Sequence, residues 1–284
     1  MSAKLLDGKT RSTELKEEAA RRTAILKEKG ITPGLAVVLV GHDPASEIYV
    51  RNKNRACENA GMHSVAVYLD ENISQETLEE ELHQLSADPK IHGILLQLPL
   101  PKQLDADRAM ACIPPDKDVD GFSNENAGRL MNGQEGIRSC TPKGIMDLIA
   151  MSGVSLEGKH AVVVGRSSIV GKPVAMMLLE KNCTVTICHS KTPDLAAFTR
   201  QADILVAATG RAHLIQGDMV KPGAVVIDAG IARVDGKVTG DIEHESVSKV
   251  AGYLSPVPGG AGPMTIAELL MNTVEAAERS LHEV

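Results

Sequence analysis

The chain has 284 residues, of which 43% are hydrophobic and 2% aromatic, and carries a net charge of −7. That length allows one large or two ordinary domains, and so few aromatics, with an acidic balance and no long basic run, argue against a nucleic-acid partner. The charged N-terminal residues 1–22 have no signal-peptide core, and no apolar run approaches the roughly 18 residues of a membrane span, so a cytoplasmic protein without membrane contact is expected.

Residues 11–29 read as an amphipathic helix ending near Gly30 and Pro33. LAVVLV, residues 35–40, is a strand running into Gly41. Asp43-Pro44 then opens a helix, with a capping acid and proline at its first position, that runs to Gly61. Residues 65–69 form a strand, and Ser74 caps a helix ending near Asp88-Pro89. Residues 93–98 are a third strand leading into Pro99 and Pro101, and a short helix at 105–112 precedes Pro114-Pro115. This alternation calls for an open parallel sheet with helices on both faces.

A loop-rich stretch, KDVDGFSNENAGRLMNGQEG, follows. Thr141-Pro142 caps a helix, KGIMDLIAMSG, that bridges to a second domain. That domain opens on HAVVVGRSSIVGKP, an apolar run, a glycine-bearing turn and then a helix in AMMLLEKN. Strand, turn and helix in this order present backbone N–H groups to a phosphate. The spacing Gly165-x-Ser167-x-x-x-Gly171 departs from G-x-G-x-x-G and is also compatible with a purely structural turn. The next strand, residues 184–188, ends in His189-Ser190-Lys191 with no acidic residue, and Arg166 lies in the turn. A carboxylate there would bind a ribose 2′-hydroxyl and repel a 2′-phosphate, so the chemistry favours NADP over NAD. Cys183, Cys188 and His189 lack the paired spacing of zinc ligands, and no metal is expected. Further strands at 204–208, ending in Thr209-Gly210, and 225–229 precede a hairpin at 234–238 turning at Asp235-Gly236. SPVPGGAGPMT, residues 255–265, is too rich in proline and glycine for regular structure, and an amphipathic helix at 266–281 closes the chain.

Some residues do not suit their places. Lys53 shares a helix face with Tyr49, Ala56, Cys57 and Ala60. It either snorkels or is a partly desolvated amine able to exchange protons near neutrality. Gln97 interrupts an apolar strand and is either an edge residue or a carboxamide at the strand's C-terminal end, where open α/β sheets bind ligands. Asp118 and Asp120 serve either turn chemistry or a ligand's paired N–H donors. The PVPGGAGP loop spends much chain entropy, which a close approach of backbone to ligand would explain.

Taken together, these pieces resemble the bifunctional methylenetetrahydrofolate dehydrogenase/methenyltetrahydrofolate cyclohydrolase family, of FolD type. The matching stretches are Ser46-x-x-Tyr49-Val50-x-x-Lys53, Gln97-Leu98-Pro99-Leu100-Pro101, Lys117-Asp118-Val119-Asp120-Gly121-Phe122 and Cys140-Thr141-Pro142. The Val164–Pro173 turn, His189-Ser190-Lys191-Thr192 and Pro256-Val257-Pro258-Gly259-Gly260 complete the set. Ser123-Asn124 and Ala261 depart from His-Pro and Val, which are common in the family.

The resemblance implies an α/β fold with two open, mostly parallel-sheet domains flanking a cleft. Residues 1–140 would be the folate-binding catalytic domain and 141–265 a Rossmann-type NADP domain, with 266–284 packing back on the first. It implies oxidation of 5,10-methylenetetrahydrofolate and hydrolysis of the methenyl product to 10-formyltetrahydrofolate. Lys53 would be the acid/base, Gln97 its orienter, Tyr49 a stacking platform and Asp120 the partner of the pterin amino edge. Leu98, Pro258, Gly259 and Gly260 would line the folate site. Gly165, Arg166, Ser167, Gly171, Ser190, Thr209, Gly210 and Ile231 would bind NADP, with Arg166 and Ser190 on the 2′-phosphate. A homodimer is also implied, for which the sequence offers apolar stretches such as Val185-Thr186-Ile187. Two other readings stay open: an NADP-dependent dehydrogenase of another small metabolite, of shikimate type, and a nucleotide-sensing protein without turnover.

Overall fold

The computed structural model describes residues 2–234 and 236–281. In chain order the elements are β1 (Lys4–Leu5), α1 (Gly8–Glu28), β2 (Gly34–Val40), α2 (Pro44–Asn59), β3 (His63–Leu69), α3 (Gln75–Ala87), β4 (Gly93–Leu96), α4 (Ala106–Ala111), α5 (Asn124–Met131) and α6 (Cys140–Ala150). There follow β5 (His160–Val164), α7 (Gly171–Glu180), β6 (Thr184–Cys188), α8 (Leu195–Thr199), β7 (Ile204–Ala207), β8 (Val225–Asp228), β9 (Ala232–Val234), β10 (Lys237–Thr239), α9 (His244–Val247), β11 (Tyr253–Leu254) and α10 (Ala261–Ser280). The chain divides into two units, residues 13–140 with 266–281, and residues 2–12 with 141–265. The N-terminal boundary differs from the expected 1–140. β1 pairs in parallel with β11, Lys4 opposite Tyr253 and Leu5 opposite Leu254, which ties residues 2–12 to the later unit. Met1 and the end of the expected 266–284 segment, residues 282–284, lie outside the described residues.

The unit of residues 13–140 and 266–281 is built on a parallel three-stranded sheet in the order β3-β2-β4. β2 is central and buried along its whole length, as its unbroken apolar run requires, whereas β3 at the edge is only partly covered. Leu78 and Leu82 of α3 pack with Val38 and Leu96 in its core. Asp43 caps α2 by accepting from the Ser46 N–H at 2.8 Å, and Ser74 caps α3 by accepting from the Thr77 N–H at 3.2 Å. α5 lies in a stretch that reads as loop, because Asn and Gly have poor helix propensity. Ser123 accepts from the Asn126 N–H at 3.2 Å, a cap that contributes about 1 kcal/mol. Asn126 is itself anchored, its amide donating to Pro115 O at 2.8 Å and Asp118 Oδ2 at 3.1 Å. The Ser123-Asn124 departure thus supplies a helix start.

The unit of residues 2–12 and 141–265 carries a six-stranded parallel sheet, ordered β1-β11-β8-β7-β5-β6. β5, β7 and β8 are covered on both faces, and β6 is the edge. β9 and β10 form the expected antiparallel hairpin, Val234 opposite Lys237, although Asp235 of its turn lies outside the described residues. One expectation is corrected: residues 261–265 are not irregular but form the first turn of α10. Pro263 is accommodated because its missing N–H falls where a helix has no acceptor for it. Among the described residues no helix is long and apolar enough to cross a membrane.

Candidate active site

α2 sets Tyr49 and Lys53 one turn apart, and its Cys57 is fully buried, so the helix is anchored one turn beyond Lys53. Lys53 Nζ donates to Gln97 Oε1 at 3.0 Å. Gln97 follows the last residue of β4, and its N–H bonds Val38 O at 2.8 Å, so the sheet fixes its backbone. Its Nε2 donates to Leu98 O at 2.7 Å. An ammonium can only donate, so the Lys53 contact fixes which end of the Gln97 amide faces it. Burial pulls the Lys53 pKa down, and the Asp120 carboxylate and Cys140 oppose that shift. Tyr49 leaves 54% of its surface exposed.

The KDVDG loop separates two carboxylates with different tasks. Asp118 is fully buried and accepts from the N–H groups of Gly121 at 3.1 Å, Phe122 at 3.3 Å and Ser123 at 2.8 Å, and from Asn126 Nδ2. It builds the loop. Asp120 is the carboxylate left to face Lys53. Burial pushes its pKa up to about 6; the Lys53 charge opposes this, Asp118 adds to it, and a bond from Cys140 opposes it. Gly121, at φ +73°, could not carry a side chain, since a Cβ would lie 2.6 Å from Ser139 N. Asn272 of α10 locks the loop from behind, donating to Val119 O at 2.8 Å and Arg138 O at 2.9 Å.

In the other unit, β5 ends at a turn that only glycine allows. Gly165 has φ +130°, and a Cβ there would lie 2.3 Å from Ala208 O; one on Gly171 would lie 2.3 Å from Gly165 O. Ser167 Oγ accepts from the N–H groups of Val170 at 3.2 Å and Gly171 at 3.3 Å, closing the turn into α7. A cavity of about 390 Å³ opens over the ends of β5, β6 and β7, lined by Gly165, Arg166, Ser167, His189, Ser190 and Thr209 among others, with no carboxylate in its wall. Gly171 and Gly210 shape the backbone around it without lining it. A narrow glycine cradle, cationic and hydroxyl-bearing side chains and the lack of an acid fit a phosphorylated dinucleotide.

A second cavity in the same unit, of about 200 Å³, is lined by Ile231, Val238, Pro258, Gly259 and Gly260. Ile231 is thus brought to the PVPGG loop and not to the Arg166 cavity. Close packing and backbone conformation explain the loop's glycines, since a Cβ on Gly260 would lie 2.5 Å from Pro256 O and Gly259 has φ +108°. Lys53, Gln97, Leu98 and Asp120 belong to one unit, and Pro258, Gly259 and Gly260 to the other.

Two family models match the chain: the tetrahydrofolate dehydrogenase/cyclohydrolase catalytic domain over residues 6–120, and the corresponding NAD(P)-binding domain over residues 139–281. The bifunctional protein FolD of Acidovorax ebreus (strain TPSY) is 59% identical over 281 residues, covering 98% of this chain and 100% of the relative. The chain belongs to the tetrahydrofolate dehydrogenase/cyclohydrolase family. Among solved structures, the bifunctional FolD methylenetetrahydrofolate dehydrogenase/cyclohydrolase of Campylobacter jejuni superposes with a TM-score of 0.96 at 48% identity, covering 98% of this chain and 100% of that one. The Trypanosoma brucei methylenetetrahydrofolate dehydrogenase-cyclohydrolase, solved with NADP and an inhibitor, gives a TM-score of 0.93 at 37% identity, with 99% of each chain covered. The Lys53–Gln97–Asp120 cluster falls within the catalytic-domain match of this family, and the Arg166 cavity within its NAD(P)-binding match.

Sequence reasoning missed two carboxylates that support this family's nucleotide unit. Asp228 accepts from the N–H groups of Gly230, Asp241 and Ile242, each at 3.0 Å, and burial pushes its pKa up to about 6. Asp241 accepts from Thr209 Oγ1 at 2.8 Å and the Arg211 N–H at 2.7 Å. Asp228 had a signal, an acid closing the apolar strand VVID. Asp241 had none, because its partners are about 30 residues away in sequence.

Proposed function

We propose that the chain oxidises 5,10-methylenetetrahydrofolate with NADP and hydrolyses the methenyl product to 10-formyltetrahydrofolate, with Lys53 as the acid/base of the hydrolysis. The observation that carries this is the Lys53–Gln97 bond of 3.0 Å beside Asp120, within a match to the family's catalytic domain. Hydrolysis needs a group that takes a proton from the attacking water and returns one as the C–N bond opens. A lysine with its pKa lowered by burial gives up its proton more readily than an ordinary lysine, which is the direction the first task requires. A cationic methenyl carbon beside it lowers that pKa further. Gln97 holds the amine in one direction, which turns a flexible chain into an oriented base. Tyr49 offers its exposed ring to the folate, Asp120 holds the pterin amino edge, and Leu98 with Pro258, Gly259 and Gly260 lines the substrate. NADP, when bound, accepts the hydride from the one-carbon bridge. Gly165, Ser167, Gly171, Thr209 and Gly210 shape and line the Arg166 cavity, Arg166 with Ser190 binds the 2′-phosphate there, and Ile231, whose carbonyl lies beside Gly210, meets the dinucleotide from the PVPGG cavity instead.

Purified chain given methylenetetrahydrofolate and NADP should show absorbance of the reduced nucleotide and then loss of the methenyl band. Silence in both channels would overturn the reading. Replacing Arg166 by Gln should raise the Michaelis constant for NADP much more than that for NAD, by about 10-fold or more for a lost charge-assisted bond. Better turnover with NAD by the unaltered protein would refute NADP specificity. The chain is further proposed to act in the cytoplasm as a homodimer. β6 is an edge strand with half-buried Val185, Thr186 and Ile187, and pairing with a second copy would cover it. Sedimentation at micromolar concentration should give a dimer, and a monomer there would rule it out.

A further inference from the structure

The dinucleotide cavity holds a cation that neither the glycine turn nor the strand-end rule assigns. Arg211 follows Thr209-Gly210 beyond β7 and lines the same cavity as Arg166 and Ser190. Its backbone is fixed, the N–H donating to Asp241 Oδ1 at 2.7 Å and to Thr209 Oγ1 at 3.2 Å. Asp241 is fully buried, and its own N–H is held by Asp228, so the residues that present Arg211 are anchored in the unit's interior. Arg211 itself is exposed. Among the described residues neither its guanidinium nor that of Arg166 has a hydrogen-bond or ion-pair partner. Two unneutralised arginines and no carboxylate in one wall raise the local positive potential, which an anionic ligand relieves.

A dinucleotide brings two anionic regions. Its pyrophosphate is met by backbone N–H groups at the Gly165–Gly171 turn and the start of α7, which need no side-chain cation. The remaining dianion is the 2′-phosphate, and a guanidinium fork matches phosphate oxygens. Resting on the NADP reading of this cavity, we propose that Arg211 is a second determinant of NADP specificity, its guanidinium joining Arg166 and Ser190 on the 2′-phosphate.

Calorimetric titration with adenosine 2′,5′-bisphosphate and with 5′-AMP separates this from the alternatives. Both probes carry adenine, ribose and a 5′-phosphate, and only the first carries the 2′-phosphate. Arg211→Gln should weaken the bisphosphate about 10- to 100-fold and leave 5′-AMP within about twofold. Arg211→Lys, which keeps the charge but loses the fork, should fall between the unaltered protein and Arg211→Gln. Equal loss for both probes would place Arg211 on the adenine, ribose or 5′-phosphate and overturn the proposal. No loss for Arg211→Gln beside a clear loss for Arg166→Gln would overturn the proposal and leave the NADP reading standing. An unaltered protein that does not prefer the bisphosphate, with Arg166→Gln also silent, would overturn both.

Discussion

Lys53→Met should abolish hydrolysis of methenyltetrahydrofolate while leaving measurable oxidation of methylenetetrahydrofolate and near-normal folding. A positioned acid/base contributes about 100- to 10,000-fold to a step that moves protons, and Lys53 is the amine held by Gln97 at the proposed reacting centre. Hydride departure from the one-carbon bridge moves no proton at that carbon, so the first step does not need the amine. Methionine keeps the length and apolar stem, and the Asp120 carboxylate that loses its facing cation takes up a proton, towards which burial already pushes it, so that no uncompensated charge is left to unfold the unit. The pH profile adds a second check. Only the neutral amine is a base, so hydrolysis should rise with pH as Lys53 loses its proton. Because its pKa is lowered, that rise comes nearer neutrality than for an ordinary lysine. Asp120 ionises near pH 6, and its charge above that point holds the Lys53 proton more tightly, which limits the shift. Unaltered hydrolysis in the variant would reduce Lys53 to a snorkelling side chain.

The elements legible in the sequence are those whose burial is written in a continuous or periodic apolar pattern. LAVVLV is β2, the valines after His160 are β5, and both are strands covered on two faces. α5 and the first turn of α10 escaped for one reason. NENAGRLM and AGPMT have weak intrinsic propensity and are helical through a Ser123 cap, the Asn126 anchors and the tolerance of a first turn for proline. β1 and β11 are two residues each, too short for a period, and exist only through their pairing with each other and with β8.

The site divides in the same way. Lys53 and Gln97 stood out as polar residues in apolar runs, and the fold brings them into contact. The residue pattern alone did not separate Asp118 and Asp120, because both are acids in a turn; only the family resemblance singled out Asp120. Counting N–H donors separates them, since Asp118 is saturated by its own loop. Arg211 and Asp241 carried no local anomaly at all. Their meaning lies in which loops the parallel sheet gathers at the ends of β7 and β8.

Gly165→Ala should destabilise the nucleotide unit by about 2–6 kcal/mol and cost most of its affinity for NADP. Two independent effects add. At φ +130° an alanine is strained, at about 1–3 kcal/mol. Its Cβ would also sit 2.3 Å from Ala208 O, a backbone atom that cannot rotate away, and overpacking of this kind costs about 1–3 kcal/mol. Relief requires the end of β5 to move from the end of β7, where the Ala208 N–H bonds Val164 O at 2.8 Å. That displacement would carry Arg166 and Ser167 on one side and Thr209 on the other, the residues between which the cavity opens. Gly171 resists the adjustment, because it already packs against Gly165 O with no room for a Cβ. Urea unfolding gives the stability loss, and calorimetry with NADP gives the affinity. Hydrolysis of methenyltetrahydrofolate, assigned to Lys53 in the other unit, should survive wherever the variant remains folded. A Gly165→Ala protein of unaltered stability and NADP affinity would show that the turn relaxes freely and is not the cradle of the dinucleotide.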